Sequence, residues 1–450
     1  MEVSVRTPVN IALIKYWGKR NEELILPLND SISISINALT ATTTISIGPH
    51  ISADFVSLNG ETMELKAGSR FQRVFKEARA IVNSIEQRNL LFNDQDWHIC
   101  VRSETNFPVA AGLASSAAGF AAIACGLGRA LHFSEHDVVR LARIGSGSAC
   151  RSVLGGFVHW RAGDADCAVL ASASHWPQLR AIVIVLDEHK KAVGSSAGMR
   201  ATVATSTLLT SRINDAVPRR VQELKEAISR RDFERLAQIT MVESNQLHAI
   251  CLDTFPPLNY LNADSHALIA FVHAFNAHLK KTGLAYTFDA GPNCCLILEA
   301  DILSLVLDSL ARCFRIDDVR IERYDLKQKG DEKDCVGQDS NCSIENSENV
   351  SETRAVDDSK MAQIGAESYS NHFSDKQEPF AWFPQRDLNV RQIICSRVGI
   401  GPVFLPLSSV VDGSPLRRLE STTGHRASSA SSQSFAQSAL VGTDVTCKML

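Results

Sequence analysis

Apolar and polar residues alternate one for one along residues 31–47 (SISISINALTATTTISI), where many positions are β-branched. That pattern predicts half-buried strands. The first 17 residues place Arg6 and Lys15 around a short apolar run, without the cationic head, long apolar core and cleavage site of a signal peptide. They predict a strand that begins the fold. Residues 70–86 carry helical spacing through Phe71, Val74, Phe75, Ala78, Ile81 and Val82. Short strands are predicted at 97–102, 156–161 and 181–186. From about residue 195 to 281 the pattern turns helical: segments 221–228, 233–247 and 268–279 each show an apolar face at i, i+3, i+4. Two more strands, 285–289 and 294–298, flank a Gly-Pro turn, and 302–314 reads as a helix. Residues 389–407 regain apolar alternation and predict one further strand. Strands and helices grouped in this way point to an α+β fold.

The 450 residues, 45% hydrophobic and 21% charged, suffice for two domains of about 150–200 residues each. The expected division is 1–185 and 186–326 plus 388–410. The intervening stretch 327–387 is rich in Asp, Glu, Ser, Asn, Lys and Gln, cannot bury enough apolar surface to offset ordering entropy, and is expected to be disordered. The Ser-rich stretch 411–450 is expected to be a loose tail. A net charge of −4 gives no basic footprint for nucleic acid, and no apolar run approaches the roughly 20 residues of a membrane span. The 12 cysteines are scattered without a CxxC pair, which argues against structural zinc and for reduced core thiols in a cytosolic protein. No metal ligand set is expected from the protein. The ending CKML has Lys448 where a prenylation box needs an aliphatic residue, so Cys447 is a poor lipidation site, and Lys-Met-Leu only partly matches a peroxisomal signal.

Four stretches carry candidate chemistry. Residues 108–119 (PVAAGLASSAAG) are small enough for backbone amides to approach a phosphate ahead of a helix N-terminus, although no Lys follows as in a GxxxxGK[ST] loop. A tightly packed Ala/Gly helix face explains the same residues. Lys15 and Lys19, in IKYWGKR, could converge on an anion if the segment turns, or remain solvated. The run Ser146, Gly147, Ser148, Ala149, Cys150, Arg151 offers two hydroxyls, backbone amides and a guanidinium fork suited to a carboxylate, or is a plain Ser/Gly loop. Asp289 stands at a strand end before Gly-Pro, where a lone acid is ordinarily a turn former. Asp253, the rival carboxylate, reads as scaffold.

The loop PVAAGLASSAA resembles the ATP loop of the GHMP kinase superfamily. Together with residues 8–20 (PVNIALIKYWGKR), 145–152 (GSGSACRS), 243–257 (ESNQLHAICLDTFPP) and 287–293 (TFDAGPN), it resembles one family within it, the diphosphomevalonate decarboxylases. The resemblance implies a two-domain fold with the active site in a cleft between the domains, a homodimer, and ATP-dependent conversion of (R)-5-diphosphomevalonate to isopentenyl diphosphate. It implies Mg²⁺ alongside ATP. By the same resemblance Ala111, Gly112, Leu113, Ala114, Ser115 and Ser116 bind ATP. Tyr16, Trp17, Gly18, Lys19, Arg70, the 146–151 run, Ser195 and Ser196 bind substrate. Asp289 is the implied catalytic acid, with Lys15 near the reacting centre and Arg151 orienting the departing carboxylate. The stretch 327–387 and the tail depart from the family pattern, away from every matched motif. A GHMP small-molecule kinase such as phosphomevalonate kinase, or a non-catalytic ATP-binding descendant, are the alternatives.

Overall fold

The alternating segment is one long strand, and the first residues of the chain pair with it along almost its whole length. A computed structural model describes residues 1–84, 96–107, 115–186, 191–314, 320–323, 383 and 386–406. In chain order the strands begin with β1 (Glu2–Ile14), β2 (Lys19–Asn21), β3 (Leu26–Pro27), β4 (Ser31–Gly48), β5 (Phe55–Leu58) and β6 (Glu61–Thr62). They continue with β7 (His98–Thr105), β8 (Phe157–Trp160), β9 (Cys167–Ala171) and β10 (Leu179–Val185). The last are β11 (Leu284–Phe288), β12 (Cys294–Glu299), β13 (Arg320–Arg323), β14 (Gln392–Arg397) and β15 (Val403–Leu405). Among the described residues they form an eight-stranded sheet, ordered β15-β1-β4-β7-β5-β6 with β8 and β9 branching from β4. A five-stranded sheet is ordered β11-β12-β10-β14-β13, and β2-β3 is a small ribbon.

The period-2 pattern holds only in the second half of β4. Residues Ser31 to Ile36 are buried on both faces, serines included. Ser31 Oγ donates to the carbonyl of Ile14 and Ser35 Oγ to that of Leu154, so these small polar side chains sit where the sheet is covered twice. Alternation records side-chain polarity; burial here was decided by what packs on each face.

The helical faces are buried as the spacing predicts. In helix Arg70–Ser84 the buried residues are Val74, Phe75, Ala78, Ile81 and Val82, with Phe71 half-buried at the edge. Helix Ser115–Leu131 buries its alanines against β1 and β4, and a Cβ on Gly126 would lie 2.5 Å from Ile45 Cδ1. The packed small-residue face is therefore present from 115 onward. Helices Val217–Arg230, Phe233–Leu252, Ala263–Leu279 and Leu303–Cys313 cover the five-stranded sheet. Their core, with Leu224, Leu236, Phe271 and Leu310, is continuous with Ile32, Ile34 and Ile36 of β4. Each such fully buried side chain contributes about 1.5–3 kcal/mol of apolar burial.

Residues 389–407, expected to add one strand, add two. β14 joins the five-stranded sheet and β15 pairs with β1 in the other. Gly401 has φ +102°, a conformation L side chains resist, and Gly399 exchanges backbone hydrogen bonds with Ser35 and Gly156 at the crossing. Phe383 and Arg386, within the stretch expected to be disordered, belong to the fold. Phe383 is buried against Phe271 and Phe314, and the Arg386 amide donates to the Cys313 carbonyl. Apart from residues 383, 386 and 387, the stretch 327–387 lies outside the described residues, as does 411–450. Met1–Val410 makes one compact unit. Among the described residues no helix is long and apolar enough to cross a membrane, and the cysteines are buried and form no disulfide.

Candidate active site

β1 stops at Ile14, and the next side chain reaches across to the other sheet. Lys15 Nζ donates to Asp289 Oδ1 at 2.6 Å; the lysine side chain is 2% exposed and the aspartate 39%. Asp289 follows the last residue of β11, in the turn before β12. Gly291 lies so close to Tyr260 that a Cβ would come within 2.3 Å of its carbonyl oxygen. Phe288 N–H donates to Ser244 Oγ, which holds the backbone beside the aspartate. Burial pushes the Asp289 carboxyl up, but the Lys15 ammonium outweighs it by charge and hydrogen bond, helped by Lys191 and Arg151. The net effect holds the group below its usual range, ionised at neutral pH. His248 packs edge-on against Phe288 and is pushed down to about 4, first by burial and then by Lys15, so its ring is neutral.

The pair lines a cavity of about 1020 Å³, wider than one small metabolite requires. Of the residues singled out from sequence, Lys15, Tyr16, Trp17, Lys19, Arg70, Ser116, Ser146, Gly147, Ser148, Arg151, Ser195, Ser196 and Asp289 line it together. Gly18, Ala149 and Cys150 do not. Gly18 has φ +99° and turns the chain between Lys15 and Lys19, the turn their convergence required. Ala149 and Cys150 are buried members of the 3-10 turn Gly147–Ser152 that carries Arg151. Ala111, Gly112, Leu113 and Ala114 lie outside the described residues. Ser115 opens helix Ser115–Leu131, its side chain likewise outside them.

Arg151 is 3% exposed, yet its fork meets neutral acceptors: Nε donates to Asn10 Oδ1 at 3.1 Å and Nη1 to Ser31 Oγ at 3.0 Å. Its charge is thus oriented without being neutralised, which suits it to a ligand anion. Ser116 and Ser146 bring their hydroxyls within 3.2 Å of each other. Lys19 Nζ pairs with Glu22 at 2.8 Å, and Arg200 approaches the same carboxylate at 3.7 Å. Ser195 and Ser196 begin helix Ser195–Thr205, whose N-terminal end favours negative charge. Trp17 Nε1 donates to Thr202 Oγ1 in that helix, so the cavity-lining segment after β1 and the helix are tied. The Tyr16 hydroxyl is buried without a partner, and burial pushes its phenol up. Asp253 bonds Ser206 Oγ and the Leu208 amide and stays out of the cavity, as scaffold.

Sequence reasoning missed Glu22, Arg73, Lys191, Arg200 and His248. Arg73 is one helical turn from Arg70 and shares its face, a relation the i, i+3 spacing offered. Lys191 is one of two adjacent lysines four residues before Ser195, and no local pattern separates it from a solvated pair.

Residues 181–405 match the mevalonate 5-diphosphate decarboxylase C-terminal domain, and residues 7–171 the diphosphomevalonate decarboxylase-like N-terminal domain. The chain is 46% identical over 315 residues to the diphosphomevalonate decarboxylase of Homo sapiens, covering 67% of this chain and 78% of the human protein. The structure of mevalonate diphosphate decarboxylase from Trypanosoma brucei matches with a TM-score of 0.75 at 32% identity, covering 91% of this chain and all (100%) of that one. A second structure, MDDEF in complex with MVAPP, AMPPCP and magnesium, matches with a TM-score of 0.61 at 34% identity over 68% of this chain and 92% of that chain. With both halves matched and the α+β two-domain fold shared, this chain belongs to the diphosphomevalonate decarboxylase family.

Proposed function

We propose that the chain catalyses the ATP-dependent decarboxylation of (R)-5-diphosphomevalonate, giving isopentenyl diphosphate, ADP, phosphate and carbon dioxide. The observation that carries it is the Lys15–Asp289 pair, an ionised carboxylate held by a buried ammonium in a cavity otherwise rich in cations and hydroxyls. Direct loss of carbon dioxide from a 3-hydroxy acid would leave a carbanion with no electron sink, and hydroxide is a poor leaving group. Phosphorylation removes the second obstacle. The C3 hydroxyl oxygen attacks the γ-phosphorus and ADP leaves. The C3–O bond then breaks with phosphate, and the electron pair of the C–CO₂ bond forms the alkene.

Asp289 accepts a hydrogen bond from the C3 hydroxyl, orients it, and takes up its proton as the P–O bond forms. The departing phosphate carries that proton away, and the carboxylate, ionised again, faces the positive charge that grows on C3. Arg151 holds the carboxylate that will leave. Tyr16, Trp17, Lys19, Ser146, Gly147, Ser148, Ser195 and Ser196 hold the diphosphate end, supported by their common place around the cavity and by the helix N-terminus at Ser195. Arg70 adds its charge to the substrate's hold, and Arg73 and Lys191 add positive charge to the same cavity. A Mg²⁺ ion bound with ATP would need oxygen donors, and the cavity-lining hydroxyl of Ser116 fits that donor chemistry. When bound, the ion neutralises charge on the transferring phosphoryl group.

Incubation with ATP, Mg²⁺ and carboxyl-labelled 5-diphosphomevalonate tests the assignment. Labelled carbon dioxide in step with ADP is expected. ADP without carbon dioxide would mean a kinase, and neither product a non-catalytic protein.

A further inference from the structure

One helix, Phe233–Leu252, holds both members of the Lys15–Asp289 pair from behind. Glu243 Oε2 accepts the Lys15 amide N–H at 3.2 Å. Arg212 Nη2 bonds that same carboxylate oxygen at 2.7 Å and also donates to the Lys15 carbonyl at 3.0 Å. The peptide groups on both sides of Lys15 are therefore gripped by a single ion pair whose side chains are both 0% exposed. The next residue of the helix, Ser244, accepts the amide of Phe288, the neighbour of Asp289, and His248 one turn later packs on the Phe288 ring. A buried ion pair gains little over apolar residues of equal volume, so its charges call for a role beyond filling space. Lysine has a flexible four-carbon stem, and an ammonium aimed at one carboxylate oxygen needs a fixed point of departure.

We propose that Arg212 and Glu243 are positioning residues that fix the Lys15 backbone and so aim its ammonium at Asp289. The helix segment from Glu243 to His248 thereby acts as a jig for the reacting pair. The proposal rests on Lys15 and Asp289 serving the decarboxylation. Besides Lys15, the charged and titratable groups facing Asp289 are Arg151, Lys191 and His248, with Cys294 and Cys295 of β12 behind the pair. Among the described residues none of these hydrogen-bonds Arg212, whose partners are Glu243, Gln246 and the Lys15 carbonyl, so Lys15 is the route by which the ion pair reaches the site.

The test compares two ways of breaking the network. The double variant Arg212→Met, Glu243→Leu removes the fully buried pair together and leaves Arg220, whose side chain is 13% exposed, bonded to Gln246. Arg220→Met removes a different bond to Glu243, one that involves Gln246 but not Lys15. In the double variant kcat is expected to fall about 100-fold, the scale of a roughly 1 Å misplacement, with KM for ATP unchanged. The acidic limb of its kcat–pH profile is expected to move to higher pH, as Asp289 loses its aimed cation. Arg220→Met should lower Tm while leaving the acidic limb in place. A folded double variant with wild-type kcat and acidic limb overturns the proposal, and so does an equal limb shift in Arg220→Met. Should the double variant not fold, Glu243→Gln, which keeps the volume, carries the same comparison. Carbon dioxide release by the wild type and its loss in Asp289→Asn are measured alongside. If those two fail, the assigned reaction falls and the proposal with it; if they hold, a negative variant result strikes the positioning role alone.

Discussion

The ammonium of Lys15 and the carboxylate of Asp289 meet at 2.6 Å although 274 positions separate them in the chain. One belongs to the end of a strand in the eight-stranded sheet, the other to a turn of the five-stranded sheet. The contact exists only when both sheets stand in register with each other, so the reacting pair also reports on how the two halves are assembled.

Asp289→Asn removes the charge and keeps the shape. Turnover is expected to drop by several orders of magnitude, more than the 10²–10⁴-fold typical of a lost acid–base group alone, because one residue both orients the hydroxyl and faces the cation. Nucleotide affinity should be retained. Carbon dioxide release and equilibrium binding of an ATP analogue check it, and near-normal turnover would remove Asp289 from its role.

Because Asp289 is held below its unfolded value of about 3.9, the ionised form prevails at all higher pH. Its contribution to stability is present above that value and is lost as pH falls through the lower folded pKa. The activity profile should therefore show its acidic limb below about pH 4. Lys15→Met takes away the first cation opposing burial, and the limb should move upward. A profile unchanged by the substitution would mean that the pairing does not set the ionisation of Asp289.

Arg151→Ala leaves Asn10 and Ser31 without their guanidinium and the carboxylate subsite without its charge. A fall in kcat of about 10²–10³-fold is expected, the range seen when one donor to developing charge is deleted. Arg151→Lys should recover little, since a point charge cannot reproduce the two-pronged hold. Steady-state kinetics decide it: an unaltered rate would place Arg151 outside the chemistry.

Gly147→Ala puts a methyl group 2.8 Å from the Tyr16 hydroxyl and 3.0 Å from Ile25 Cγ2. The Tyr16 ring is stacked at an angle on Trp160 and has little room to yield. The substitution should raise KM for 5-diphosphomevalonate roughly tenfold, as loss of about 1.4 kcal/mol of binding would, with KM for ATP little changed. Equal effects on both constants would argue against this turn as the diphosphate end of the site.

Much of the fold was legible because periodicity is a local record of which face is buried. The helices at 70–84, 217–230 and 233–252 and the strands β1, β7, β10, β11 and β12 stand where the spacing predicted them. Candidate residues from six separate stretches were likewise readable through resemblance, and most of them line one cavity. What stayed hidden depends on packing between distant segments. Ser33 and Ser35 are polar by sequence and buried by circumstance, since nothing in an alternating strand says that both faces will be covered. The segment after residue 388 could be read as extended, but only the left-handed turn at Gly401, set against Gly155, shares it between two sheets. Glu243 looked like an ordinary helix residue in a matched motif; its burial beside Arg212 and its grip on Lys15 arise because three segments far apart in sequence converge on one peptide. By itself the sequence determined the elements and the chemistry they carry, because both follow from neighbours along the chain. Tertiary structure alone decided which charge meets which, because that depends on distances between segments that no local pattern encodes.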